Sequence, residues 1–385
     1  MAAPAAVAEQ SWFRSRWERL NGPARIAGVD LARGLAVLGM LTAHLVDTPE
    51  LVPADPSTWL GVVDGRSSIL FATLAGVSIG LVTGGPTPLR GAAMRTVRLR
   101  LVVRAAMLWL IGAVLIATGV PVYVILPAYA VLFVLAIPFT RLRARTVLVT
   151  AGALALVMPW LQAWLDASAY WRTQQGSRAS DLLGFHYPFP VWIAFVLAGL
   201  GVARAGIRSL GVQLWMLGVG TALAVVGYGL HGMADPDPML EPFSIPAAVW
   251  TARPHSSGLL EVIGSGGFAL AVIAASLLLC RTLVRWIVLP LRAVGAMPLT
   301  AYTAQLLVWA VWAAVAIGDT AALIEFRAFE PFAPLTLGIV VGCTAWALLV
   351  GRGPLEWLTD VVTRVAVPGP PRRETAAAPV DRLDG

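Results

Sequence analysis

The sequence is short of charge. Only 13% of its 385 residues are Asp, Glu, Lys or Arg, and lysine is absent, so every positive side chain is an arginine. Soluble domains carry about a quarter charged residues. A soluble fold of this length could not bury the apolar surface of a chain that is 58% hydrophobic. The composition therefore excludes a soluble globular domain.

Three further absences narrow the class. No segment shows the ten-residue polar and apolar alternation of a membrane β-barrel. The two cysteines, Cys280 and Cys343, have no CxxC partner and no neighbouring histidine, so neither a disulfide nor a thiolate metal site is predicted. The four histidines form no HxxxH, HxxE or Cys/His cluster, and we predict no metal site.

The net charge of +7 is explained by the positions of the arginines along the chain. In a soluble protein such a charge would suggest nucleic acid, but here the arginines fall in short loops between apolar runs. Loop arginines of this kind orient a membrane protein, with the arginine-rich side in the cytoplasm. No nucleic-acid partner is predicted, and the lipid bilayer is the expected surrounding.

Apolar runs of about 20 residues recur along the chain, and each is long enough to cross a bilayer as a helix. The predicted fold is therefore all-α, a polytopic integral membrane protein with about ten transmembrane helices. The predicted spans are 27–47, 67–85, 101–119, 121–140, 146–165, 188–206, 210–230, 258–280, 297–317 and 333–351.

Loop charges support this count, because arginine-rich and acid-rich loops alternate at every crossing. An even number of spans puts both termini in the cytoplasm. The acidic side carries three longer loops, at roughly 48–66, 166–187 and 231–257, and loops of this size can shape a binding mouth. We divide the chain into a cytoplasmic segment at 1–26 with an interfacial amphipathic helix, a transmembrane domain at 27–367 and a disordered tail at 368–385.

Asp30, Arg33 and His44 form a polar stripe on the first predicted helix. Eleven residues separate Arg33 from His44, about three turns and roughly 16–17 Å of rise, so both lie on one face. Charge inside a span is costly and should point into the bundle. In the simpler interpretation, Arg33 and Asp30 form a structural ion pair and His44 is merely solvated. In the alternative, the three residues belong to a functional site.

An arginine followed after ten residues by a histidine resembles the motif of the type-three membrane acyltransferases. The stretch Asp-Leu-Ala-Arg-Gly-Leu-Ala from Asp30 also resembles the opening of the YeiB-like family and of heparan-alpha-glucosaminide N-acetyltransferase. Further pieces are similar to the YeiB-like pattern in order. They are Ser67 to Phe71 with Gly76, Ile125 to Ala130, Tyr187 to Trp192 with Gly199, His255 to Gly264, Gly295 to Tyr302 with Gln305, and Gly353 to Trp357.

The resemblance implies acyl transfer across the membrane, from cytoplasmic acyl-CoA to a hydroxyl or amine at the outer face. His44 would then be the general base, or would carry the acyl group covalently. It falls where the heparan enzyme carries Asn, so its role rests on the type-three motif alone. Arg33 would draw the acyl-donor carbonyl or the phosphopantetheine arm into place, or pair with Asp30.

Other polar residues near the spans are weaker candidates. Arg95, Arg98 and Arg104 could bind CoA phosphates, although anchoring at the cytoplasmic interface explains them equally simply. The outer group of Asp64, Arg66, His255 and Glu261 could bind or orient the acceptor, or be solvated at the interface. We expect His186 and His231 to be loop residues, and Tyr129, Tyr302 and Gln305 to join helices by hydrogen bonds.

The main hypothesis is thus an acyltransferase of the cell envelope in the bacterial cytoplasmic membrane. Its donor substrate would be acyl-CoA, and its acceptor a glycan, a glycolipid or a small hydroxylated metabolite. The alternative is a transporter or exporter of an anionic or lipid-like solute, in which Arg33 and Glu261 bind the cargo. We find no convincing repeat between the two halves, which many transporters have.

Overall fold

The computed structural model describes residues 14–52, 54–234 and 244–369. These residues form helices and loops and contain no β-strand. The long helices are α1 Ala27–Leu45, α2 Arg66–Val82, α3 Gly91–Ala117, α4 Leu126–Ala136, α5 Ala144–Asp166, α6 Phe189–Ala205, α7 Leu210–Ala234, α8 Leu259–Leu279, α9 Pro298–Ala316, α10 Phe332–Leu349 and α11 Pro354–Ala366. Predictions for residues 1–13, for the acidic stretch Asp235 to Glu241 and for the tail from 370 lie outside the described residues.

Within the described residues, eight helices are long and apolar enough to cross a membrane. They are α1, α2 with the 3-10 helix Pro56–Val63 before it, α3, α5, α7, α8, α9 and α10. Two shorter apolar segments, Leu126–Arg141 and Phe189–Ala205, complete the ten predicted spans. The all-α, polytopic membrane fold is thereby confirmed.

The largest difference from the predicted spans is at α3, which begins at Gly91 and not near residue 101. The extra turns carry Arg95, Arg98 and Arg100. Since a helix can continue beyond the hydrocarbon region wherever its charged side chains reach water, hydropathy alone misplaces this end.

The helices form a buried inner set and a lipid-facing outer set. Most residues of α1, α2 and α6 are buried, whereas α3, α5, α7 and α10 expose rows of leucine, valine and tryptophan. Apolar exposure of this kind is what a helix facing lipid tails requires. The inner helices can therefore hold polar side chains away from lipid.

Glycines let α2 and α6 approach closely. A Cβ atom on Gly76 would lie 1.9 Å from the Val196 carbonyl oxygen, and a Cβ on Gly199 would lie 1.9 Å from the Thr73 carbonyl oxygen. Small residues at a crossing allow backbone contact between helices within a membrane. This contact fixes the position of α2, and with it the position of Ser78 on another face of the helix.

Both ends of the described chain meet at the arginine-rich face. Residues 14–21 form a helix whose Leu20 is buried and whose Trp17 stacks on Trp286, with ring centroids 5.6 Å apart. At the other end, Arg100 Nε donates to the Val367 carbonyl oxygen at 3.1 Å. By the positive-inside rule, this arginine-rich face is the one expected in the cytoplasm.

Candidate active site

A cavity of about 780 Å³ enters the bundle from the arginine-rich face. The N-terminal segment, α3 and α11 border its mouth. Arg352 and Arg364 lie there with 43% and 57% of their side chains exposed, so the cavity reaches solvent. Its arginines are Arg19, Arg25, Arg33, Arg104, Arg352 and Arg364.

Arg33 lies in the cavity wall and is held from two sides. Its Nη1 atom lies 3.4 Å from Asp30 Oδ1, and its Nη2 atom donates to Ser78 Oγ at 2.6 Å. Asp30 is shared, because Arg25 Nε lies 3.0 Å from the other carboxylate oxygen. The Arg33–Asp30 pair considered from the sequence is thus present, but one carboxylate faces two guanidinium groups. Together the three side chains keep a net positive charge, which can attract an anion.

The inner end of the cavity, the end farthest from its mouth, is aromatic. It is lined by Phe71, Tyr129 and Tyr302 together with aliphatic side chains. The Tyr129 hydroxyl donates to the Ser68 carbonyl oxygen at 3.4 Å, and the Tyr302 hydroxyl accepts from Ile125 N at 3.3 Å. Both tyrosines therefore join helices, as the sequence suggested, and they also line the cavity. Because Ser68 lies in the first turn of α2, the cavity ends close to the outer face.

Glu356 fastens one wall of the cavity. Its Oε1 atom accepts from the backbone N–H groups of Leu299 and Thr300 at 2.8 and 3.1 Å, and its Oε2 atom accepts from Thr300 Oγ1 at 2.5 Å. A carboxylate at the start of α9 caps free N–H groups and meets the positive end of the helix dipole. The sequence analysis noted Glu356 only as part of a family segment.

His44 lies at the outer end of α1. Its Nδ1 atom is buried and has no hydrogen-bond partner among the described residues. The charges of His255, Asp64 and Arg327 act on its ring, and the Arg327 Nη2 atom donates to its carbonyl oxygen at 3.0 Å. The predicted outer residues Asp64 and His255 are therefore within electrostatic reach of His44. Among the described residues, His44 is not part of the cavity wall.

His255 is held in an unusual backbone conformation. Its φ is +62°, and Ser257 also has a positive φ of +54°. Glu261 stabilises this loop, because its carboxylate accepts from His255 N at 2.7 Å, from Ser257 N at 2.6 Å and from Ser256 Oγ at 3.1 Å. Such strain persists only where the surroundings impose it, and it is concentrated at functional sites.

The His255 ring is paired with Asp64, with 3.4 Å between Nε2 and Oδ1. Burial acts to lower the pKa of His255, but the bond to Asp64 and the charges of Glu261 and Asp64 outweigh it, so the pKa is raised. Tyr187 packs edge-on against this ring, with centroids 6.1 Å apart, and lies within electrostatic reach of Tyr302. It stands between the inner end of the cavity and the outer cluster.

Two of the predicted site residues, Arg66 and Arg98, form hydrogen bonds outside the proposed sites. Arg66 Nε donates to the Tyr228 hydroxyl at 2.8 Å, and its Nη1 atom donates to the Gly61 carbonyl oxygen at 3.0 Å. Arg98 Nε donates to Thr140 Oγ1 at 3.0 Å, outside the cavity.

Of the three arginines considered for CoA, Arg104 alone is part of the described cavity wall. The other arginines of the wall come from the N-terminal segment, α1, and the chain near and within α11. No local motif connects these distant segments, so Arg19, Arg25, Arg352 and Arg364 could not be recognised as site residues from the sequence. In the parts of the chain that are described, no group of three or more His, Cys, Asp or Glu residues could hold a metal.

These features define a multi-pass membrane protein of the acetyltransferase type, with a cavity on one face and a histidine–carboxylate cluster near the other. The chain belongs to the family described as heparan-alpha-glucosaminide N-acetyltransferase, catalytic, which matches residues 25–229. Residues 238–366 match a second family, described as protein of unknown function (DUF418). No curated protein and no solved structure matches the chain. The resemblance noted in the sequence is confirmed, and both matched parts contribute to the site.

Proposed function

We propose that the protein transfers an acyl group from cytoplasmic acyl-CoA to a hydroxyl or amine of an acceptor at the opposite face. One observation carries the proposal. The cavity opens among arginines on the cytoplasmic face and ends at tyrosines close to the outer cluster of His44, Asp64 and His255.

The charge of the cavity suits a phosphorylated donor. Six arginines line it against two acids, Glu356 and Asp360. Asp360 already pairs with Arg352 and Arg364 at 2.7 and 2.8 Å. Arg19, Arg104 and the pair Arg25 and Arg33, which shares the single carboxylate of Asp30, can bind the phosphates of CoA through bidentate hydrogen bonds. The volume lies within the range of about 300–1,000 Å³ that is typical of ligand sites.

The cavity wall changes character with depth, which matches the donor's own polarity. Beyond Arg33 and Ser78 it becomes apolar and aromatic. The phosphates would stay at the mouth, and the pantetheine arm and its thioester would extend toward Tyr129 and Tyr302. Arg33, between the two regions, would position the arm and not take part in proton transfer.

His44 is the proposed general base. Its unpartnered Nδ1 atom can accept the proton of the acceptor hydroxyl as the hydroxyl oxygen attacks the thioester carbonyl carbon. The new carbon–oxygen bond forms, the carbon–sulfur bond breaks, and the proton passes to the leaving CoA thiolate. In the covalent route, the imidazole would carry the acyl group between donor and acceptor.

The acceptor would bind on the outer side, where Asp64 and His255 present a paired carboxylate and imidazole. Glu261 would act there by holding the His255 loop. A glycan, a glycolipid or a small hydroxylated metabolite fits these groups. The proposed location is the cytoplasmic membrane of a bacterium, because the arginine-rich loops fit the positive-inside rule.

Thermal unfolding of the purified protein with and without acyl-CoA tests donor binding. Ligand at a hundred times its Kd stabilises a protein by about 2.7 kcal/mol. We expect stabilisation of wild type and of Arg98→Gln, and weaker stabilisation of Arg104→Gln, because both arginines lie on α3 but only Arg104 lines the cavity. Absence of stabilisation by every acyl-CoA tested would favour transport of a solute instead.

The acceptor can be identified by profiling the glycans and lipids of a strain that lacks the protein. We expect one acyl modification to disappear and to return with the wild-type chain. Profiles that are identical with and without the protein would contradict an envelope acceptor.

A further inference from the structure

A second, smaller cavity of about 240 Å³ lies on the cytoplasmic face beside the N-terminal segment. Arg25, Arg208, Arg285 and Arg292 line it, together with Asn21 and small or apolar residues. No acidic residue is among the described residues that line it. The arginines come from three separate parts of the sequence, around residues 25, 208 and 285–292, so the cavity is a product of the fold.

The positive-inside rule does not explain Arg292. That rule accounts for exposed loop arginines, whereas Arg292 is only 2% exposed. Its Nη1 atom donates to the Arg285 carbonyl oxygen at 2.8 Å, and its Nη2 atom donates to Asn21 Oδ1 at 2.8 Å and to the Leu20 carbonyl oxygen at 3.2 Å. All these partners are neutral. The acid whose charge reaches Arg292 is Asp30, which already serves Arg25 and Arg33.

Two buried donors of this group have no partner in the described structure. They are Arg292 Nε and Asn21 Nδ2. A buried charge without a counter-ion and buried N–H groups without acceptors are each costly. A single anion with several acceptor oxygens would satisfy both, and phosphate oxygens are well suited to guanidinium donors.

The surface next to the cavity is apolar. Leu283 and Ile287 are 80% and 79% exposed, and they flank Arg285 at the short helix Val284–Ile287. Trp286 on the same helix stacks on Trp17 and lies under the Arg285 guanidinium, which is 4.2 Å from its ring. Tryptophan and exposed aliphatic residues beside arginine are typical of the level of the lipid headgroups.

We propose that this cavity binds the phosphodiester headgroup of an anionic phospholipid from the cytoplasmic leaflet. The phosphate oxygens accept from Arg292 Nε and Asn21 Nδ2, and the exposed Arg208 and Arg285 close over them. The acyl chains run along Leu283 and Ile287. Basic pockets between transmembrane helices on this side of a membrane are suited to such headgroups. The inference does not rest on the proposed acyl transfer.

The lipid would fix the N-terminal segment beside the mouth of the large cavity. Leu20 and Arg25 line both cavities, and Asn21 belongs to the same segment. A bound headgroup therefore supports one wall of that mouth.

Native mass spectrometry of the full-length protein in mild detergent tests the proposal. We expect phosphatidylglycerol to stay bound under conditions that remove phosphatidylcholine. The double variant Arg208→Gln/Arg285→Gln should bind phosphatidylglycerol about thirtyfold more weakly, since each arginine near a headgroup contributes about a fivefold factor. Arg145→Gln, which changes an exposed arginine of the same face outside both cavities, should bind as wild type does.

Both changed arginines of the double variant are exposed, so its elution volume and unfolding temperature should match those of wild type. Equal retention of the two lipids, or unchanged affinity in the double variant, would overturn the proposal. Displacement of the lipid by millimolar inorganic phosphate or by free CoA would also overturn it, because the cavity would then bind a soluble phosphate. Retention of the lipid in both competitions supports it.

Discussion

The two outer histidines are held in different ways. His255 has its ring paired with Asp64 and its backbone bound by Glu261, whereas His44 keeps a buried Nδ1 atom free of hydrogen bonds in the described structure. A proton acceptor needs a free lone pair, and a ring already paired with a carboxylate serves better to bind or orient. This difference supports the separate roles proposed for them.

Replacing His44 by alanine should reduce acyl transfer by about 10²–10⁴-fold, the usual contribution of general-base catalysis. Stabilisation by acyl-CoA should persist, because His44 is not in the described cavity wall. The measurement is kcat/KM alongside thermal unfolding. His231→Ala, which changes the histidine near the end of α7, is the control. Full activity in His44→Ala would remove this residue from the mechanism.

The raised pKa of His255 predicts a pH dependence of stability. A histidine whose pKa is higher in the folded state contributes stability that is fully present below the unfolded value of about 6.5. That contribution is lost as the pH rises through the folded pKa. The pair is partly exposed, so the contribution is at most about 1 kcal/mol.

Thermal unfolding at pH 6 and at pH 9 measures this effect. The wild type should lose more stability between the two pH values than Asp64→Asn, which lacks the carboxylate that binds His255. A larger loss in Asp64→Asn than in wild type would contradict the role of Asp64 in holding a protonated ring.

At the scale of elements, the contact between α2 and α6 sets the position of Ser78, the partner of Arg33. Gly76→Ala places a methyl group against the Val196 carbonyl oxygen and should cost about 1–3 kcal/mol of stability, the usual penalty of overpacking. Donor binding should weaken as well, because α2 must shift.

Gly152→Ala on α5 is the matched control, since nothing lies within 4 Å of the added atom. Alanine there should leave the stability unchanged or raise it by up to about 1 kcal/mol, because glycine is the poorer helix former. Unfolding temperatures of the two variants give the comparison. Equal values would mean that the α2–α6 contact tolerates separation.

At the scale of the whole molecule, the orientation can be tested with cysteine labelling. Cys280 and Cys343 are buried and can be replaced by alanine. In that background, Tyr170→Cys in the second outer loop should react with an impermeant maleimide in intact cells. Arg141→Cys should react only after lysis, because it lies on the arginine-rich face. Labelling of both variants in intact cells would contradict this topology.

The sequence predicts the helices better than it predicts the site. Bilayer thickness fixes the length of an apolar run, so ten spans can be counted, and the Arg33–Asp30 pair follows from a spacing of three residues on one helix. Ser78 and Tyr228 could not be assigned as partners of Arg33 and Arg66, since they lie 45 and 162 residues away. Those contacts depend on the packing of helices, which local patterns do not encode.

In the proposed acyl transfer, the carboxylate of Glu261 would also affect the entropy of catalysis. It binds three donors of residues 255–257 and keeps two non-glycine residues at positive φ, so that loop is already ordered before any acceptor arrives. The cost of ordering is met once, during folding, and does not recur in each catalytic cycle. An acceptor that meets a preorganised imidazole retains more of its binding energy for the reaction itself.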